Sequence, residues 1–344
     1  MRAAMADLAS MTFSNIIRRA ALACAAIISA PLCAQDSAGQ TPDAVVASAA
    51  PGEWITIPPE DLLVMTLAPD AQGQQREVVI QLLPPPYSQG WVANVRTLAR
   101  ANWWDGLDVY RVVDNFVAQW GDGEDERPDP KPLPPGIAAV PETQYTVPVP
   151  PGDLLAGSAA DILARAGLAG SVALSRDPYA PITAFANGWP VGLTFDSQWP
   201  VHCYSTVGVA RDLSPDTGTG AELYAIIGHA PRHLDRNLAV VGRVIEGMEH
   251  LATLPRGTAD LGVYATDEEH TQIETVRLVS DLAPAEQPAF QYLDTGSATF
   301  ARYVAVREAR ADEFYRVPAG GVDVCAVQVP VRRAANASTP APAE

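Results

Sequence analysis

A chain of 344 residues with 48% hydrophobic content is long enough for one large domain or two ordinary ones with a real core. Its net charge of −17 and isoelectric point near 4.6 repel a phosphate backbone and remove the counterion-release drive toward nucleic acid, so nucleic acid is excluded as a partner.

The first element is an export signal over residues 1–34. Arg18 and Arg19 supply its basic start, ALACAAIISAP an apolar run shorter than a membrane span, and Leu-Cys-Ala at 32–34 a small residue before Gln35. Met11 serves equally well as a start. Neither Cys24 nor Cys33 sits in a good lipobox, and polar AQDSAGQTPD follows, so the mature chain is expected to be periplasmic or secreted with no stable membrane span. Two of the four cysteines leave with the signal. The remaining two, Cys203 and Cys325, either form one bridge or stand as separate buried thiols; the sequence leaves both open.

Residues 35–75 read as a flexible leader and N-terminal extension, with order beginning at Trp54. LLVMTLA (62–68) and REVVIQLLP (76–84), separated by PDAQGQ, predict a strand hairpin. SQGWVANVRTLARAN has the one-face apolar spacing of a helix, with Ser88 available near its start. Asp105-Gly106 then turns the chain into a strand that carries Arg111. The stretch YRVVDNFVAQWGD places one arginine, Phe116 and Gln119 within an apolar run. An unpaired buried charge costs several kcal/mol, so Arg111 must have a partner.

From Gly123 to Pro151 proline and acidic residues exclude helix and central strand and predict an extended surface excursion. A short helix follows in SAADILARAGLAG, with Ser158 to Asp161 as its cap and Gly167 after its last apolar position. STVGVA, ELYAIIG, LAVVGRV and IETVRLV (273–279) alternate with Gly, Pro and Asp punctuation, the spacing of a closed antiparallel sheet, with a brief helix over Met248 to Leu254. FARYVAVRE and VDVCAVQVPV predict two more strands in a C-terminal extension (283–331), and 332–344 a disordered tail.

Other signals point to no chemistry of their own. Pro231 spoils a helical metal grip by His229 and His233, His202 beside Cys203 reads as a strand residue, and GDGEDE lacks the terminal glutamate of a calcium loop. Nucleophile elbow, phosphate loop and dinucleotide fingerprint are all missing from the sequence.

VVIQL, VANVRTLAR, WWDGLDVYRVVDNFVAQWGD, VGVAR, GTGAELY and HLDRNLAVVGRVIEGMEHL, in that order, resemble the landmarks of cyclophilin-type peptidyl-prolyl cis-trans isomerases over residues 76–282, interrupted by an insertion at about 123–200. The resemblance implies a mainly β fold: a closed antiparallel eight-stranded barrel capped by helices, with the groove on its outer face. It implies Arg111 as the catalytic arginine, Phe116 as the floor of the proline pocket and Gln119 as an amide that holds substrate backbone, with no cofactor or metal. Val117, Ala210, Arg211, Glu222, Tyr224, His233 and Leu238 are the implied substrate-binding positions.

Several of these depart from the family pattern. Val117 stands for a methionine, Tyr224 for a second phenylalanine, and Glu222 for a glutamine, which puts a carboxylate beside the arginine. His233 falls near the groove tryptophan, Leu238 replaces the groove histidine, and Trp120 takes a glycine position. The insertion either loops outward, the preferred reading, or covers the groove. Two functions follow. One is an exported isomerase that assists folding of proline-containing polypeptides, favoured by Arg111, Phe116 and Gln119. The other is a non-catalytic module that binds proline-containing segments or serves as scaffold, favoured by Leu238, Val117 and the insertion.

Overall fold

The computed structural model describes residues 39–123, 130–152, 158–174 and 177–334, so the export signal and residues 335–344 of the predicted tail lie outside the described residues. The chain runs through α1 (Pro42–Ala47), β1 (Trp54–Thr56), β2 (Leu62–Leu67), β3 (Arg76–Leu82), α2 (Gln89–Arg100), β4 (Asp108–Val112) and β5 (Val117–Gly121). Next come β6 (Val147–Pro148), α3 (Ala159–Arg165), β7 (Ala173–Leu174), β8 (Ile182–Ala186), β9 (Trp189–Leu193) and β10 (Ser197–Pro200). It ends with β11 (Thr206–Val209), β12 (Leu223–Ile226), β13 (Val240–Glu246), α4 (Glu249–Ala252), β14 (Thr271–Leu278), β15 (Phe290–Leu293), α5 (Ala298–Glu308) and β16 (Val331–Arg333).

Eight of these strands close into a barrel in the order β11-β12-β5-β4-β14-β2-β3-β13, every pairing antiparallel. The hairpin β2–β3 is as its pattern predicts, with the Asp70 carboxylate accepting from the amides of Gln72 and Gln74 in the turn. Because β2 is one of the barrel strands, the barrel begins at Leu62 and not at residue 76. Inside, β-branched and aliphatic residues of the strands meet Trp91, Val95 and Leu98 from the apolar face of α2. Ser88 stands at the start of α2 but its side chain caps nothing; the Gln89 amide instead donates to the carbonyls of Leu83 and Tyr87.

Several predicted segments take other forms. Residues 42–47, expected within a flexible leader, are helical with Thr41 as N-cap. FARYVAVRE is helix α5, because Ser297 caps it and Phe300, Tyr303 and Val304 bury one face; VDVCAVQVPV is a 3-10 turn at Val324–Ala326 leading to β16. Arg332 and Arg333, assigned to the tail, are in β16, which pairs with β15, as β1 does on its other side. The insertion at about 123–200 holds more than the excursion predicted for 123–151 and the helix after it. Its second half builds an antiparallel sheet in the order β6-β10-β9-β8-β7, and Ser158 caps α3 as predicted.

The five-stranded sheet and the first and last described segments share a second core. Val45, Phe185, Val201, Leu293, Phe300 and Val327 are among its members, and Phe185 meets Phe300 edge-to-face at 5.0 Å. Cys203 and Cys325 are bridged, joining the approach to β11 with the C-terminal segment. The described residues 130–152 are seated along α2: Asn94 exchanges hydrogen bonds with the backbone of Ala138, and Tyr145 stacks on Trp91 at 5.1 Å.

Candidate functional site

Alternation along β5 sorts the opening motif. Ala118 and Trp120 point into the barrel core, so Trp120 is core filling, while Val117 joins an outer apolar cluster and Gln119 stays half-buried beside it. On β4 the register shifts between Val109 and Arg111. Val109 and Val112 both remain in the core, and the bulge turns Tyr110 and Arg111 toward the one residue they share, Gln119.

The Arg111 guanidinium is therefore not stranded. Its Nη1 donates to Gln119 Oε1 at 2.7 Å and its Nε to the carbonyl of Leu261 at 2.7 Å. Its Nη2 makes no hydrogen bond among the described residues. Burial lowers its pKa from the usual arginine value, opposed by Tyr110. The Gln119 amide is committed at both ends, since its Nε2 donates to the Tyr110 hydroxyl. That hydroxyl donates in turn to Glu222 Oε2 at 2.9 Å, and Glu222 Oε1 accepts from the amide of Asp122 at 2.6 Å. Burial, then the Glu222 charge, pushes the Tyr110 phenol up, so it stays a neutral link. Glu222 thus reaches Arg111 by way of Tyr110 and Gln119.

Beside this polar edge lies an apolar cluster of Val117, Tyr224 and Ile226, with Val113, Phe116, Ala210, Leu234 and Leu238 packed against it. Phe116 sits in the turn between β4 and β5, where Asn115 has φ +52° and the Phe116 carbonyl accepts from the Ile227 amide at 2.9 Å. The structure thus brings together Arg111, Gln119, Glu222 and the cluster members Phe116, Val117, Ala210, Tyr224 and Leu238. Two expected residues stand apart. His233 is exposed on a 3-10 turn, and its neighbour Leu234 is the one that packs on the cluster; Arg211 is occupied with the carbonyls of Asn237 and Asp212.

Sequence reasoning missed Tyr110, Leu234, the Leu261 carbonyl and His202. Strict alternation puts Tyr110 on the face opposite Arg111, and only the bulge undoes that. His202 follows β10 outside any strand, fully buried, within hydrogen-bond reach of Tyr224; an isolated histidine beside a cysteine carries no signal of such a contact.

Comparison with known proteins bears on the family and the fold. Residues 89–279, more than half of the chain, match the family model described as cyclophilin type peptidyl-prolyl cis-trans isomerase/CLD. The chain is similar in fold to the cyclophilin AquaCyp293 from Hirschia baltica, with 21% identity, a TM-score of 0.57, and 86% of this chain and 97% of that one covered. A cyclophilin type peptidyl-prolyl cis-trans isomerase from Cryptosporidium parvum matches at 10% identity with a TM-score of 0.33, covering 63% of this chain and 96% of that one. No curated protein matches the sequence significantly.

Proposed function

From the premise that the chain belongs to the cyclophilin-type peptidyl-prolyl cis-trans isomerase family, we propose that it catalyses rotation of X–Pro bonds in exported polypeptides and so assists their folding outside the cytoplasm. The observation that carries the assignment of the site is the Arg111 guanidinium, pinned at two nitrogens and open at Nη2, beside the Phe116–Val117–Tyr224 cluster.

Rotation about the X–Pro bond faces a barrier of ~20 kcal/mol because the amide is conjugated. Twisting ends the conjugation and leaves a lone pair on the prolyl nitrogen. A donor held at that nitrogen binds the twisted form better than the planar one, which is the differential binding that lowers a barrier. Arg111 is that donor, the apolar cluster takes the proline ring, and Gln119 orients the guanidinium. The reaction forms no covalent intermediate and moves no electrons.

Export rests on the basic, apolar and small-residue pattern of residues 1–34, and the Cys203–Cys325 bridge suits an oxidising compartment. Among the described residues no helix is long and apolar enough to cross a membrane. The test is NMR exchange spectroscopy on a panel of X–Pro peptides. Acceleration of cis/trans exchange by the mature chain is expected, with loss of at least tenfold in Arg111→Ala, since one such donor is worth about 10²–10³ in rate elsewhere. Peptide shifts perturbed without any acceleration would instead make the protein a binder of proline-containing segments, a reading that Leu238 in the groove favours.

A further inference from the structure

Behind the apolar cluster runs a buried polar chain that the catalytic geometry does not use. The Tyr224 hydroxyl lies 3.1 Å from His202 Nε2, and His202 Nδ1 lies 3.0 Å from Asp235 Oδ1, which also accepts from the His202 backbone amide at 2.9 Å. Asp235 Oδ2 accepts from Arg232 Nε at 2.7 Å, and the far side of that guanidinium donates to Asp177 at 2.6 and 3.2 Å. All of these except Asp177 are 5% exposed or less as whole residues, and His202 is 0% exposed. The Asp177 side chain itself is 4% exposed.

A carboxylate only accepts, so His202 donates from Nδ1 to Asp235, and its Nε2 is joined to the Tyr224 hydroxyl, which can serve as either donor or acceptor. A phenylalanine at 224 would fill the ring space with no buried hydroxyl to satisfy. A buried polar network of this kind contributes little net stability relative to apolar packing, but its bond lengths fix one arrangement.

What it fixes is the distance between two walls. Tyr224 and Ile226 come from β12, whereas Leu234 ends the 3-10 turn at Arg232–Leu234 and Leu238 follows it by four residues. Apolar side chains alone let two such elements slide. Here the first wall is bonded through its hydroxyl to His202, and the second carries Asp235 in its own backbone. His202 is itself held in place, since the next residue is bridged to Cys325, and Asp177 anchors Arg232 from the loop before β8.

We propose that His202 and Asp235 are positioning residues of the isomerase, setting the width of the proline pocket by tying Tyr224 to the Leu234–Leu238 wall. The proposal rests on the reading of this cluster as the proline pocket. The pocket grips the ring in planar and twisted states alike, so loosening it weakens binding of both and raises KM with little change in kcat.

The experiment is a double-mutant cycle of His202→Leu and Tyr224→Phe, with KM and kcat on an X–Pro peptide from NMR exchange and stability from urea unfolding in parallel. His202→Leu alone strands the Tyr224 hydroxyl, and a rise in KM of about tenfold with kcat within about twofold is expected. In the Tyr224→Phe background the same change is expected to leave KM nearly unaltered. If His202→Leu does not fold, His202→Gln keeps an acceptor near the Nε2 position and is expected to hold KM within about threefold of wild type, with Tyr224→Phe the larger effect. An active wild type whose KM is unmoved by His202→Leu, or moved equally in both backgrounds, overturns the positioning role alone. If the wild type binds peptide without turnover, the same cycle is read in Kd. Neither turnover nor peptide binding by the wild type overturns the pocket reading and this proposal with it.

Discussion

Gly208 shows how closely single atoms are drawn around the pocket. It pairs with Tyr224 across β11 and β12, and a Cβ there would lie 2.3 Å from the tip of the tyrosine ring. That ring is hydrogen-bonded to His202 and has no room to retreat. Gly208→Ala is therefore expected to destabilise the fold by about 1–3 kcal/mol, read by urea unfolding, with peptide binding weakened in parallel. Asp235 permits a second test. Burial alone would raise its carboxyl, but the hydrogen bond from His202, then the charge and hydrogen bond of Arg232, more than reverse this and hold it below the ordinary aspartate value. A depressed folded-state pKa contributes stability that is full above the unfolded value and fades as pH falls through the folded one. Wild type is thus expected to exceed Asp235→Asn in stability at neutral pH. The gap closes below about pH 4, where the unfolded aspartate takes up its proton. A gap constant from pH 7 to pH 3 would contradict this origin.

At the scale of elements, the same local rules that identify a helix or hairpin explain the segments that the sequence reading misplaced. Asn187 and Gly188 both have positive φ and form a two-residue turn that sets Ala186 opposite Trp189, the strongest short-range hairpin signal a sequence can hold. It lies within the insertion at about 123–200, after the predicted helix, where the sequence reading named no strand. In α5 the Ser297 hydroxyl accepts from the Phe300 amide at 3.0 Å, and the buried Phe300, Tyr303 and Val304 follow the helical spacing of three and four. Two β-branched residues in YVAV argued for a strand, but the cap and the apolar face outweigh that weak preference. Ser297→Ala is expected to cost about 1 kcal/mol in urea unfolding, as loss of an N-cap does, without altering prolyl exchange.

Across the whole molecule, the bridge between Cys203 and Cys325 joins the strand entry behind the pocket to the C-terminal part of the second core, residues separated by 122 positions. Closing so long a loop constrains the unfolded chain strongly. Cys325→Ser, or reduction of the wild type, is expected to lower stability by about 2–5 kcal/mol, while reductant leaves the variant unchanged. The order of the landmark motifs and the barrel strands β3, β4 and β11 to β14 were legible without coordinates, because each is written in contiguous residues whose spacing is set by the strand or helix they occupy, while Arg111, Phe116 and Gln119 became candidates only through the resemblance those motifs carry. Other features were decided only when distant segments met. The entry of β2 into the barrel, the bulge that aligns Tyr110 with Arg111, the second core shared by the first and last described segments, and the contact of His202 with Tyr224 and Asp235 all depend on pairings between remote positions. Such pairings are selected by burial and by the need of every buried polar group for a partner, conditions that no local pattern encodes.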